Sequence, residues 1–236
     1  ISECDWSSDV CSSDLAARYL FTTRGWKNKG IGKTVVCTTM IDKWAASVEI
    51  PVFEVPVGFK YFSQLLFDGV IGIGGEESAG ASFLKKDGTV WTTDKDGIIM
   101  ALLSMEIMAV MGKSALKMAD DFAENYGEPR FGRIDAPCKK EQKQILKQLS
   151  AELITATSVD GDPITGIRTT SMYNNMPIDG VRVETDKGWF VARPSGTEDL
   201  YKIYGESYKG DLGLVALLTA GEEIVNAALN GKIDAE

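Results

Sequence analysis

Three short segments of the 236-residue chain carry side chains whose types and spacing suit recognition of an oxyanion and of neighbouring hydroxyls. In Arg193-Pro194-Ser195-Gly196-Thr197-Glu198, a guanidinium, two hydroxyls and a glycine that bares backbone N–H groups together meet the needs of a bound phosphate. Lys202 adds a second positive charge nearby, so the local field is positive in an acidic chain. The spacing is not that of a P-loop. In Gly74-Gly75-Glu76-Glu77-Ser78-Ala79-Gly80, Glu76 can accept and Ser78 donate hydrogen bonds to adjacent sugar hydroxyls, and the glycines let the backbone turn sharply. In Val57-Gly58-Phe59-Lys60, a lysine stands where a strand gives way to a helix, able to reach a phosphate or to carry a proton. Each segment also has a plainer reading: a glycine turn with acids near a helix start, a hairpin turn with a surface arginine, and a solvated lysine.

Composition narrows the chemistry. The chain has no histidine, so no Ser-His-Asp triad, Cys-His dyad or histidine metal site can be built from it. Cys4, Cys11, Cys37 and Cys138 form no CxxC pair, which argues against zinc. A formal charge of −9 argues against nucleic acid as a partner. No apolar run approaches the ~20 residues of a membrane span, and no signal peptide is visible. The expectation is a reducing, cytoplasmic setting with neither nucleic acid nor membrane as partner.

The elements that must position these groups follow from periodicity. Apolar runs at Ile31–Thr39, Val52–Val57 and Val70–Ile73 alternate with helical stretches near Ile41–Val48 and Lys60–Phe67, the pattern of parallel strands buried on both faces. The Gly74–Gly80 loop then follows a strand's carboxyl end, where ligands of open α/β sheets bind. Asp87-Gly88 predicts a hairpin between Ser82–Leu84 and Thr89–Thr92. A long apolar helix at Ile98–Met111 has Asp94 or Asp96 as its cap. Its methionines, like Trp91, read as packing residues. Further on, Ile164–Thr169, Gly180–Glu184, Trp189–Ala192 and Tyr201–Glu206 are strand-like, and Leu214–Leu229 is an amphipathic helix. The fold class expected is an α/β domain with a mainly parallel sheet sandwiched by helices, then a smaller α+β domain with an antiparallel sheet.

Residues 1–15 differ from the rest. Ser-Ser-Asp occurs twice, there is no clear period and no basic residue, and the stretch resembles translated sequencing adapter. It is expected to be a non-native prefix, and the absence of a Met at its end suggests a chain cut short on its N-terminal side. The remaining divisions expected are 16–118 for the first domain, 119–154 for a charged helical connector, and 155–236 for the second domain.

The motifs VPVGFKYF (55–62), GIGGEESAGASF (72–83), TDKDGIIMALL (93–103) and RPSGTEDLYKIYGES (193–207), with TVVCTTMID (34–42) and DGDPITG (160–166), occur in an order that resembles the α-D-phosphohexomutases. Within that family they look most like the bacterial enzymes acting on α-glucose phosphates, and the likeness runs from about residue 16 to the end. The resemblance implies domains three and four of a four-domain phosphoglucomutase, an isomerase that works by intramolecular phosphotransfer. Glucose 1-phosphate and glucose 6-phosphate would interconvert through a phosphoserine and a glucose 1,6-bisphosphate intermediate. By resemblance, Glu76 and Ser78 grip sugar hydroxyls; Arg193, Ser195, Gly196, Thr197 and Lys202 bind phosphate; and Lys60 contacts phosphate or transfers a proton.

The same resemblance places the phosphoserine and the Mg²⁺ ligands in the first two domains. This chain would then hold no metal ligand, be inactive alone, and have those missing domains as its partner together with a hexose phosphate. Asp160-Gly161-Asp162 is read as a turn rather than a metal loop. Two alternatives stand beside this reading: a non-catalytic sugar-phosphate-binding module, and a phosphohexomutase with another hexose preference.

Overall fold

The structure is a computed structural model that describes residues 11–26, 28–78 and 80–231. It divides into two compact units, one running to Gly127 and taking in Met172–Asn174, the other formed by Glu128–Ser171 and the residues from Asn175 onward.

The first unit is built on a four-stranded sheet in the order β2-β1-β3-β4, with β1 Gly30–Thr34, β2 Val52–Val55, β3 Ile71–Gly75 and β4 Ala81–Phe83. β1 is parallel to β2 and β3, and β4 runs antiparallel to β3. The crossovers are helices whose apolar residues recur at helical spacing. α2 (Met40–Ser47) buries Met40, Ile41, Trp44 and Ala45, and α3 (Lys60–Phe67) buries Phe62, Leu65 and Leu66. Side chains of this size stabilise by about 1.5–3 kcal/mol each when fully buried, and they gather with Ile31, Ile71, Ile73 and Val55 into one core. α4 (Gly97–Met111) starts at Asp96, whose carboxylate accepts from the Ile98 and Ile99 amides at 2.9 and 3.2 Å, and ends at Gly112 in the left-handed conformation. α5 (Ala115–Tyr126) is capped by Ser114 and buries Met118 and Phe122.

The second unit is a six-stranded antiparallel sheet in the order β5-β10-β9-β8-β7-β6. Its strands are β5 Arg130–Pro137, β6 Ser158–Val159, β7 Asp162–Thr170, β8 Pro177–Thr185, β9 Gly188–Pro194 and β10 Leu200–Ser207. α6 (Lys140–Lys147) and α7 (Gly210–Leu229) pack with it. α7 has the length and hydropathy of a membrane span. Yet Gly213, Leu217, Gly221, Val225 and Ala228 form a buried stripe on one face, as expected of a core helix lying on a sheet. The chain is thus a parallel α/β unit followed by an antiparallel α+β unit, as its periodicity predicts.

Four details differ from the sequence reading. The first strand ends at Thr34, because Val35–Thr39 turn within the core; Val35, Val36 and Thr38 are buried without being strand. The Asp87-Gly88 turn closes, with the Lys85 and Thr89 backbones 2.9 Å apart, but Thr89–Thr92 form no strand; β4 pairs with β3 instead. Residues 119–154 are not one connector. α5 belongs to the first unit, while Arg130–Pro137 is an edge strand paired along its length with β10. The expected prefix lies outside the described residues for positions 1–10, but α1 (Cys11–Arg24) begins inside it and buries Asp14 and Leu15. Ser12, Ser13 and Asp14 suit a first helical turn, which is why polar composition alone hid the helix. Asp160-Gly161 is a turn, both residues having positive φ, and joins β6 to β7.

Candidate functional site

In the first unit, β1, β2 and β3 run in parallel, so their carboxyl ends share one edge of the sheet. The glycine loop leaves β3 there. Glu76 is 5% exposed, its amide donates to the Gly80 carbonyl at 2.8 Å, and its Oε2 accepts from Lys95 Nζ at 3.0 Å. That bond holds the Lys95 ammonium above its ordinary pKa. Glu77 accepts from the Thr34 hydroxyl at 3.2 Å, tying the loop to the end of β1, and Ser78 is exposed. Cys37 beneath the loop donates to the Gly75 carbonyl at 3.6 Å, and burial pushes its thiol up to about 12, so it is inert at neutral pH.

Lys60 is exposed at the first position of α3, at this same edge, with its Nζ 5.0 Å from the centre of the Tyr61 ring. The φ of +134° at Gly58 is what lets the chain turn from β2 into α3, a conformation few other residues adopt. The structure therefore brings Lys60, Glu76 and Ser78 to one sheet edge, and adds Lys95, Glu77 and Thr34 to them.

In the second unit, Arg193 and Lys202 are directly opposite each other on β9 and β10, and opposite residues of an antiparallel pair share a face. The turn between these strands is closed by the Ser195 amide donating to the Leu200 carbonyl at 2.8 Å. Arg193 is 9% exposed and its Nε has no hydrogen-bond partner among the described residues. A buried donor left unsatisfied costs roughly 1–3 kcal/mol. Gly180 of β8 passes beneath it: a Cβ there would lie 2.2 Å from the Ala192 carbonyl oxygen and 2.7 Å from Arg193 Cβ, so only glycine fits. Ser195 is buried, Thr197 is exposed, and the space beside Gly196 is open. Lys202 Nζ pairs with Glu198 Oε2 at 2.8 Å, and that hydrogen bond holds the Glu198 carboxyl below the usual carboxylate range.

Deeper along the same sheet, Glu184 bonds Arg168 at 3.0 Å and Arg182 at 2.6 Å. Burial alone would raise its pKa, but the two guanidiniums overcome that and lower it to about 2. Arg182 also stacks on Trp189, 4.2 Å from the ring centre. Trp189 lies on β9, the strand that also carries Arg193. Lys95, Thr34, Glu77 and Glu198 were not singled out as site residues from sequence. Lys95 stands inside the quoted TDKDGII motif, but its partner is 19 positions away and only the fold pairs them. Among the described residues no group of three or more acids or cysteines is placed to hold a metal ion.

Residues 14–126 match the family described as phosphoglucomutase/phosphomannomutase, alpha/beta/alpha domain III, and residues 134–213 match the C-terminal domain of the same family. The chain belongs to the phosphoglucomutase/phosphomannomutase family. It is 47% identical over 215 residues to the phosphoglucomutase of Komagataeibacter xylinus, a match spanning 90% of this chain and 39% of that relative. It is 27% identical over 203 residues to phosphoglucomutase-like protein 5 of Rattus norvegicus, spanning 78% of this chain and 35% of the relative. The chain thus spans well under half the length of these relatives. Among solved structures, a putative phosphomannomutase of Thermus thermophilus superposes with a TM-score of 0.68 at 22% identity, covering 93% of this chain and 41% of the other. Parafusin of Paramecium, in an open form, does so with 0.64 at 21%, covering 94% and 42%. These two structures share the fold.

Proposed function

We propose that this chain is the sugar- and phosphate-binding half of a phosphoglucomutase that interconverts α-D-glucose 1-phosphate and glucose 6-phosphate. The observation that carries the reading is the Arg193–Lys202 pair at the end of β9 and the start of β10, with a buried guanidinium Nε lacking an acceptor among the described residues, beside an open Gly196 turn. Arg193 and Lys202 clamp the phosphate that is not being transferred, with Ser195, Thr197 and the Gly196 amide completing its hydrogen bonds. Glu76 and Ser78 hold sugar hydroxyls, and Lys60 contacts a phosphate or carries a proton. The reaction needs little covalent chemistry from these residues; positioning and charge neutralisation dominate phosphoryl transfer. The phosphoryl-carrying serine and the Mg²⁺ that assists it belong, in this reading, to the rest of a longer protein, as does turnover of the glucose 1,6-bisphosphate intermediate. The described residues do not fit a metal, and no step of the chain's own work passes through one. The setting is a reducing cytoplasm, in keeping with free Cys37 and Cys138.

A chimera tests the reading. Residues 16–236 would replace the matching stretch of the Komagataeibacter phosphoglucomutase, and the product would be assayed on glucose 1-phosphate and mannose 1-phosphate. A folded chimera with mutase activity and higher kcat/KM on the glucose ester is expected. A folded chimera without activity overturns the function, and a mannose preference overturns the substrate.

A further inference from the structure

We infer that Glu198 is an internal stand-in for the phosphate: its carboxylate neutralises Lys202, and an incoming dianion must displace it. The inference deepens the phosphate-clamp reading above and rests on it.

The geometry has three parts. Lys202 is the sequestered member of its ion pair, its side chain 15% exposed against 55% for Glu198, at 2.8 Å. A cation so shielded needs a counter-charge when no ligand is present, and Glu198 supplies it from the same turn. The Glu198 amide also donates to Ser195 Oγ at 3.2 Å, so one residue engages both a cation and a hydroxyl assigned to the ligand. Arg193 keeps a bare Nε, so Glu198 leaves part of the clamp unsatisfied.

A single carboxylate therefore fills the site incompletely. Because Glu198 is exposed, its pair with Lys202 is weak and easily broken. A phosphate dianion brings more charge and more acceptor oxygens than one carboxylate, and reaches Arg193 as well as Lys202. A monoanion has no such advantage over Glu198. The stand-in thus makes the loop selective for dianions and keeps its cations paired between turnovers. Lys143 and Asp199 form a separate pair beside it, at 3.0 Å, and Arg133 bonds Asp135 at 2.8 Å on β5. Neither of those carboxylates bonds Lys202.

The test is titration of inorganic phosphate into the isotopically labelled 236-residue chain, followed at the Gly196 and Thr197 amides. Four proteins are compared: the parent, Glu198→Gln, Asp199→Asn and Arg193→Ala. Asp199→Asn makes the same change of charge at the adjacent residue without touching Lys202. Glu198→Gln should bind phosphate roughly fivefold more tightly than the parent, and Asp199→Asn should differ from it by less than about twofold. Damage to the loop would weaken binding, so a gain reads displacement and not structure. If the parent binds through Arg193 but Glu198→Gln binds equally or more weakly, or Asp199→Asn gains as much, the inference is overturned and the clamp stands. If the folded parent shows no phosphate binding, the clamp reading itself falls, and this inference with it.

Discussion

The two loops proposed to bind substrate are mirror images in charge. In the glycine loop of the first unit, the buried member of the ion pair is the acid: Glu76 has 7% of its side chain exposed and Lys95 has 53%. In the turn of the second unit, the buried member is the base: Lys202 at 15% and Glu198 at 55%. In each, the inward charge lies at or beside a strand end, and the partner that neutralises it is the more exposed of the two. The difference in sign matches the difference in the ligand groups proposed, hydroxyl donors for a carboxylate and a phosphate for an ammonium. Each loop thus has its inward charge paired before any ligand arrives, which lowers the ordering cost of binding. The loops are unequal in one respect: the second also holds Arg193, whose buried Nε has no hydrogen-bond partner among the described residues.

That inequality predicts where the largest losses fall. In the active chimera, Arg193→Ala should lower kcat/KM at least ~10²-fold, about 2–4 kcal/mol of transition-state binding. An unchanged kcat/KM would sink the clamp. The next effect is on stability. Glu184 has its folded pKa depressed to about 2 from an ordinary 4.5, so the stability it contributes is fully present above pH 4.5 and is lost as pH falls towards about 2. Its size is on the order of 3 kcal/mol. Chemical denaturation of Glu184→Gln should show a deficit of that order at neutral pH that narrows as the solution is acidified. A deficit independent of pH would contradict the ion-pair origin.

Smaller effects separate the loops more finely. Glu76→Gln keeps the shape of the glycine loop but halves its appeal to hydroxyl donors; a rise in KM of about 10-fold is expected with phosphate binding untouched. Lys95→Gln, the mirror of Glu198→Gln, takes the ammonium from the buried Glu76 carboxylate and should cost about 1–3 kcal/mol in stability. Phosphate affinity should not rise in that variant. If it did, the gain in Glu198→Gln would be a general charge effect rather than relief of one carboxylate.

The fold was largely legible because its two halves write different periods. Val70–Ile73 and Val52–Val57 are near-continuous apolar runs, as strands buried on both faces must be. β8 to β10 were legible from their strand-like runs and turn signals. β5 was not, because Arg130–Pro137 is an edge strand exposed at alternate positions and flanked by prolines, which reads as a link until its pairing with β10 is known. The Thr89–Thr92 strand failed for a related reason: Asp-Gly specifies a turn but not what its second arm pairs with. The site was legible as motifs but not as ion pairs. Glu76–Lys95 joins residues whose separation has no local signature, and Glu198 read as the end of a motif until Lys202 faced it across the turn.

If the second loop is a preformed phosphate clamp and the first a sugar grip, titration of three ligands into the labelled chain, phosphate, glucose and glucose 6-phosphate, should tell the two loops apart. Phosphate should move the Gly196 and Thr197 amides and leave Glu76 and Ser78 still, and glucose 6-phosphate should bind through the same Gly196 turn at least as tightly as phosphate. A folded chain whose Gly196 and Thr197 amides stay fixed at saturating glucose 6-phosphate would contradict the clamp.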